Sequence, residues 1–444
     1  MQIKLSDKFT YGKLIRFTIP SIAMMIFTSI YGVVDGFFIS NFAGKTPFAA
    51  VNLIYPFLMI LSTVGFVFGT GGSAIVGKYF GQQKNEKANR SFSLFVYAAL
   101  VLGVIFAVLG IVFTKPIAIL LGAEGELLKN CIIYARIILL ALPALILQFL
   151  FQSFLVTAEK PTLGLIVTLS SGFTNMILDA ILVILLPEHL KLAGAAIATA
   201  TSQFVGGFVP LIYFARKNSS ILRLGKTRFD GRLLLKACGN GSSELMSNVS
   251  MSLVAMLYNV QLMKYAGEDG ISAYGVMMYF SMIFSALFFG YSIGTAPIFS
   301  YNFGAQNHTE LKSLLKKSLI ITVIFGTSMI AISEILAAPL SRFFVGYDKA
   351  LLEMTVSGFR IFALSFIFMG FAIFASSFFT ALNDGLTSAI ISFLRTVIFQ
   401  VAAIIILPLI FGIKGIWFSI VVAEFAAVLF SVIFMIAKKK RYHY

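Results

Sequence analysis

Charge is scarce in this chain. Only 12% of its 444 residues are Asp, Glu, Lys or Arg, where a soluble globular chain carries about 25%. So little polar surface cannot coat a water-soluble domain. Tryptophan occurs once, against 47 Phe, and the mean hydropathy of +0.94 points to an exterior that faces lipid. Cys131 and Cys238 are the only thiols, so disulfide scaffolds and cysteine-ligated metal sites are excluded. No HExxH, P-loop, GxSxG or dinucleotide fingerprint occurs, which leaves an enzyme without nucleophile or cofactor site, and neither activity nor cofactor is expected. The dyad alternation of a transmembrane barrel is missing as well. No small-residue cleavage site follows a short apolar core near the N-terminus, so no cleavable signal peptide is expected.

Long apolar runs are what the chain has instead. They fall at 17–40, 48–77, 91–113, 130–157, 162–186, 194–215, 232–264, 271–300, 316–340, 353–381, 387–411 and 416–437. Each reaches the ~20 residues that cross a bilayer, and the longer ones must tilt, kink or project into water. The expectation is an all-α polytopic membrane protein of twelve transmembrane helices. The net charge of +16 is concentrated on one side of this arrangement. With the N-terminus inside, 23 of the 34 Lys and Arg lie on the inner side, 8 on the outer side, and Arg136, Arg360 and Arg395 within spans. The positive-inside rule therefore predicts a multi-pass inner-membrane protein with both termini cytoplasmic. The basic residues mark topology next to anionic lipid; a nucleic-acid partner is not expected.

A slide of 223 residues reveals a repeat. It superposes Ala43-Gly44 on Ala266-Gly267, Ala50 on Ala273, Gly71 on Gly294 and Phe80-Gly81 on Phe303-Gly304. Gln83 falls on Gln306, Pro116 on Pro339 and Thr157-Ala158 on Thr380-Ala381. Two pseudo-twofold-related six-helix bundles follow, at 1–216 and 232–444, joined by a basic cytoplasmic linker at 217–231. Because six is even, the repeats are parallel about an axis along the membrane normal. Transporters built this way hold substrate between the halves and rock one half against the other.

Five acids lie within spans: Asp35, Asp179, Glu244, Glu334 and Glu424. An intramembrane carboxylate costs ~2.5–3.5 kcal/mol on insertion scales, so it faces the bundle interior and marks function by default. Spans 1 and 5 run outward, placing Asp35 and Asp179 near their outer ends. Asn175 shares a face with Asp179, one turn below it. Span 6 runs inward and sets Thr199 at similar depth, while Tyr31 adds a phenol a turn below Asp35. Two carboxylates, an amide and a hydroxyl are hard oxygen ligands, suited to Na⁺ and equally to a shared proton. The alternative is that each Asp only hydrogen-bonds a neighbouring helix; two acids at matched depth with Asn and Thr beside them weigh against it. The second repeat carries Tyr258 in place of Asp35 and no acid at the counterpart of Asp179, so only one half is charged.

The remaining polar residues are less specific. Glu244 belongs to the polar run Gly239–Ser252 and is a candidate for lining a cleft. Glu424 stands at the repeat position of Gln203 once Gly194 is set on Gly415, which suggests packing or hydrogen bonding. Arg395 lies deep enough to pair with an acid or to approach an anionic substrate. Glu334, Arg136 and Arg360 read as structural. Pro20, inside span 1, can bend that helix. Glycines 65, 69, 71, 72 and 77 let span 2 pack closely.

The repeat, the basic linker, YGVVDGFFI in span 1, KYFGQQ after span 2, TAEKP after span 4, and NMILDAILV followed by GAAIATATSQ resemble the MATE family. This is the multidrug and toxic compound extrusion group of cation-coupled antiporters, and the resemblance covers essentially the whole chain. It implies that Asp35, Asn175, Asp179 and Thr199 form the H⁺ or Na⁺ site, with Tyr31 and Pro20 also matching. Another branch of the family carries a carboxylate in the tenth span; residues 360–380 contain none here. The expectation is a monomeric multidrug efflux antiporter working by rocker-switch alternating access. It would export amphipathic, cationic molecules from a cleft lined by Phe, Met and Tyr. The alternatives are a lipid-linked oligosaccharide flippase of the same superfamily, which would want a more cationic cleft than Arg395 alone offers, and a non-transporting receptor or scaffold.

Overall fold

The computed structural model describes residues 3–444, the side chain of Ser252 excepted. Within a bilayer the backbone must satisfy its own polar groups, and the apolar runs accordingly close into helices. Spans 1 to 6 are Tyr11–Ala43, Lys45–Gly81, Asn85–Leu120, the pair Gly125–Leu140 and Leu142–Thr157 bent by 57°, Pro161–Leu185 and Glu188–Ala215. Span 7 begins with Gly231–Asn240 and continues from Ser242 into a stretch of helix that reaches Gly304 across one break. Its 63 residues would measure ~95 Å, about three bilayer cores. Gly267, at φ 61° and ψ −149°, breaks that stretch into span 7, ending at 266, and span 8 at 268–304. Spans 9 to 12 are His308–Val345, the pair Lys349–Ala363 and Ser365–Ala381 bent by 42°, Gly385–Phe411 and Ile413–Tyr442. Twelve spans in two six-helix bundles are thus present among the described residues.

The helices outrun the apolar stretches that announce them, because capped polar turns extend them into water. Span 3 reaches 85–120 where hydropathy marks 91–113, and span 9 starts at His308, capped by the Asn307 side chain accepting the Glu310 amide. Thr10 caps span 1 in the same way by accepting from Lys13, as Ser and Thr commonly do. The repeat is written in the backbone too. Gly44 and Gly267 both adopt positive φ at the corner between the first two spans of each half, where a side chain would be strained. Gln83 and Gln306 are both left-handed, at φ 59° and 55°. Glu159 and Asn383, at 60° and 61°, open spans 5 and 11.

Buried apolar side chains form three cores. One belongs to the first bundle and runs from Ile39 to Phe214, with Leu222 and Ala237 attached. Another, from Val254 to Ile420, lies wholly within the second bundle. The third crosses between them at the face that carries both termini, where Leu5, Phe9, Leu14 and Phe17 pack with Phe299 and Phe378. Polar contacts reinforce that face. The Leu5 amide donates to Glu159 at 2.7 Å and the Phe9 amide to Glu310 at 2.9 Å, so the N-terminal segment is tied to both halves. Asn240 donates to the carbonyls of Gly71 at 3.2 Å and Thr380 at 3.0 Å. At the far end of the chain, burial alone would raise the Asp384 carboxyl, but donors from Thr387 and Tyr442 and the nearby Lys438 hold it below the usual carboxylate range. Its contribution to stability is present above the ordinary value and is lost as pH falls through the lowered one.

Backbones of the two halves touch at this basic face. Gly81 abuts Tyr301, Gly304 abuts Lys78, and Gly71 abuts Ala237 and Gly241, each without room for a Cβ. Gly304→Val should therefore wedge the halves apart at a cost of ~1–3 kcal/mol, the range for overpacking. Cys238, half-buried on the helix that packs against Gly71, is a natural reporter, whereas Cys131 is buried within the first bundle. Thiol labelling at Cys238 should rise several-fold in Gly304→Val while Cys131 stays unreactive.

Candidate functional site

Span 1 is shared between the bundles. Its first part docks on span 8, where Thr18 meets Gly294 and Ser21 and Ile22 meet Gly290. Its second part docks on span 5, where Phe27 and Tyr31 close over Gly172. Pro20 lies at the changeover and lacks the amide that would continue the helical ladder. Beyond it the helix carries Asp35 into the first bundle. A π-helical turn, Ile39–Ala43, follows at once, and the Ile39 amide is shared between the carbonyls of Asp35 and Gly36. Such bulges recur at functional sites because they re-aim the residues around them.

Four of the residues singled out from sequence come together. The Thr199 hydroxyl donates to Asp35 Oδ1 at 3.1 Å. The Asn175 amide donates to Thr199 Oγ1 at 3.3 Å and more loosely to Asp35 Oδ1 at 3.5 Å. Asp179 lies one turn beyond Asn175 on span 5, buried behind Asp35. Asp35 and Thr199 are partly exposed, whereas Asn175 and Asp179 are buried behind them. The layer sits deeper than hydropathy suggests, since span 1 continues eight residues past Asp35 to Ala43.

The hydrogen-bond balance of this pocket is one-sided. Both oxygens of Asp179 and the Oδ1 of Asn175 are buried and accept from no donor. An orphaned buried acceptor costs ~1–3 kcal/mol, and more when charged. Three such oxygens beside the Asp35 carboxylate make a pocket rich in lone pairs and short of positive charge. A proton or a small cation with oxygen ligands is what these atoms can take up.

Sequence reasoning missed part of the wall. Tyr134 of span 4 lies within electrostatic reach of both carboxyl groups, and Tyr55 of span 2 within reach of Asp35, as Tyr31 is. Gln148 and Gln152, two further buried polar side chains of span 4, line a cavity of about 10 Å³ with Thr168 and Gly206. A lone Tyr or Gln in an apolar helix gives no signal that separates lining from packing.

The other candidates stay apart from this layer. Arg395 pairs with Glu424 in the second bundle, its Nε bonding both carboxylate oxygens at 2.9 and 2.8 Å. Glu334 pairs with Arg360 at 3.2 Å, both half-exposed. Glu244 lies one turn past Gly241, whose backbone abuts Val67, so it stands at the seam between the halves near the basic face.

Comparison with known proteins adds an independent observation. The MatE family model matches the chain twice, over residues 20–181 and 245–406, one match in each half. The multidrug export protein MepA of Staphylococcus haemolyticus (strain JCSC1435) is 28% identical over 422 residues, covering 93% of this chain and 90% of that protein. MepA of Staphylococcus aureus (strain MRSA252) is 26% identical over 419 residues, covering 93% and 91%. The fold also matches a solved structure described as the outward-facing conformation of a multidrug resistance MATE family transporter of the MOP superfamily. The TM-score is 0.92 at 20% identity, over 98% of this chain and 97% of that one. A MATE crystal structure in the bent conformation gives 0.88 at 21% identity, over 98% of each.

If Thr199 donates to Asp35 as drawn, Thr199→Val keeps its shape and removes one donor and one acceptor. A loss of about 1 kcal/mol of stability is expected, together with a weaker stabilisation by Na⁺, which loses an oxygen ligand. Thr199→Ser should retain both. Thermal unfolding of the purified variants, with and without Na⁺, makes the comparison.

Proposed function

The chain belongs to the MATE family, and on that premise we propose that it is a secondary antiporter exporting amphipathic, cationic small molecules in exchange for H⁺ or Na⁺. The observation that carries this reading is the donor deficit at Asn175 and Asp179, beside the Asp35 carboxyl group. A carboxyl-rich pocket that its own protein leaves uncompensated asks for an exchangeable cation. Coupling requires that cation and substrate bias the same two-state element, and span 1 is suited to that part. A cation held between Asp35 and Asp179 ties the outer part of span 1 to span 5; its release frees that part, while the first turns stay docked on span 8. Pro20 is where the helix can yield. Each elementary charge moving inward down 100 mV supplies ~2.3 kcal/mol toward export. Pairing of Arg395 with Glu424 argues against the flippase alternative, because it neutralises the deep cation a pyrophosphate would need.

The same reading sets topology: the basic face is cytoplasmic, and the protein is a multi-pass component of the cell membrane. A reporter fused after Tyr444 should be active only in the cytoplasm; activity on the opposite side would reverse the assignment.

The site is tested by removing charge while keeping shape. Asp35→Asn and Asp179→Asn should each insert, fold and bind substrate, yet lose at least tenfold in cation-driven export. Asn175→Ala and Thr199→Ala should lose less, since the charged pair remains. Glu334→Gln disturbs only a half-exposed ion pair, worth ~0–1 kcal/mol, and serves as control. Dye efflux from everted vesicles, driven in turn by a Na⁺ gradient and by a pH gradient, reads the loss and identifies the ion. Wild-type rates in both well-folded Asn variants would remove this pocket from the mechanism.

A further inference from the structure

The second bundle contains an image of the candidate site with a different charge plan. Gly44 and Gly267 are repeat equivalents, and nine residues before them stand Asp35 and Tyr258. Glu159 and Asn383 open spans 5 and 11, and twelve residues beyond them stand Ser171 and Arg395. Nine residues past Gly194 and Gly415 come Gln203 and Glu424. Tyr258, Arg395 and Glu424 therefore occupy spans 7, 11 and 12, which correspond to the spans 1, 5 and 6 that hold the first site. Ser171 and Gln203 each lie one turn toward the basic face from Asn175 and Thr199, so the image is one turn deeper.

The two sites differ in where their positive charge comes from. In the first bundle, among the described residues, no cationic side chain pairs with Asp35 or Asp179. In the second, Glu424 is fully buried and Arg395 is only 13% exposed, and the guanidinium Nε lies against both carboxylate oxygens. Arg395 sits on a π-helical stretch of its span, Leu394–Phe399. Around the pair, Tyr258 of span 7 is within reach of Glu424 and stacks on Tyr274 of span 8 at 4.9 Å. Residues 365–381 of span 10 bring no charge. Breaking a buried pair on one side strands the other charge, which is far costlier than never having had it.

We propose that Arg395 is a tethered counter-cation, taking in the second bundle the place an exchanged H⁺ or Na⁺ takes in the first, and so confining coupling to Asp35 and Asp179. The inference rests on the antiporter reading above for its functional consequence. Its chemical content, that Arg395 holds Glu424 in a fixed, non-exchanging ion pair, stands independently.

Infrared spectroscopy of the purified, lipid-reconstituted protein at neutral pH counts protonated carboxyl groups directly. Arg395→Met should add one protonated-carboxyl band that the wild type lacks, and the double variant Arg395→Met/Glu424→Gln should remove it. Arg395→Lys, which keeps a cation, should not add it. Because Arg395→Met strands a buried acid and destabilises the bundle, the neutral double variant provides the transport arm: it should export with the cation dependence of the wild type. The proposal is overturned if folded Arg395→Met shows no new band, if Glu424→Gln alone abolishes a protonated carboxyl of the wild type, or if the double variant loses cation dependence. Full cation-driven export by Asp35→Asn and Asp179→Asn would instead sink the antiporter site and leave the infrared result standing.

Discussion

A buried carboxyl group with no donor facing it is the constraint on which the rest of this molecule depends. Lipid offers no water to Asp179, and neighbouring side chains leave both its oxygens unmatched. Many buried polar side chains of the spans are paired locally, as when Thr114 returns its hydroxyl to the Gly110 carbonyl or Ser431 to that of Ala427, while others, among them Gln152 and Ser333, are unmatched as Asp179 is. What sets this cluster apart is that its three unmatched atoms are all acceptor oxygens, two of them from one carboxyl group. The helices around it are arranged to make that imbalance consequential.

Span 1 carries the consequence. A helix wholly inside one bundle could bind a cation without moving anything between the halves. Here the first turns belong to the core that crosses the basic face, and the later turns to the first bundle. A change in charge at Asp35 therefore acts on an element both halves hold. The glycine contacts at the basic face make the closed arrangement close-packed, and packed interfaces respond by switching between arrangements more than by bending continuously.

Gene duplication supplies two copies of every pocket, and the chain has used them differently. One copy keeps acids without a cation; the other carries its own. A repeat thus holds an asymmetric charge plan in a symmetric frame, because a single basic side chain, Arg395, pairs with the buried acid of its half. The same frame explains why the backbone irregularities recur at equivalent positions, on identical residues at Gly44 and Gly267 and at Gln83 and Gln306, and on different ones at Glu159 and Asn383.

Much was legible in the sequence. Apolar runs, their basic flanks and the 223-residue repeat are local or linear properties, so span number, the parallel bundles and the candidate depth of Asp35, Asn175, Asp179 and Thr199 could be read by counting. Counting reports depth along a helix, though, and not the angle at which a side chain leaves it. Which partner each polar group meets depends on helix rotation, bends such as the 57° break in span 4, and the close approaches that glycines permit. Only the tertiary structure could decide that Thr199 donates to Asp35, that Asp179 has no donor and that Arg395 pairs with Glu424. The physical reason is that hydrophobicity places a segment in the membrane one helix at a time, while satisfaction of buried polar atoms is settled only when all the helices are packed together.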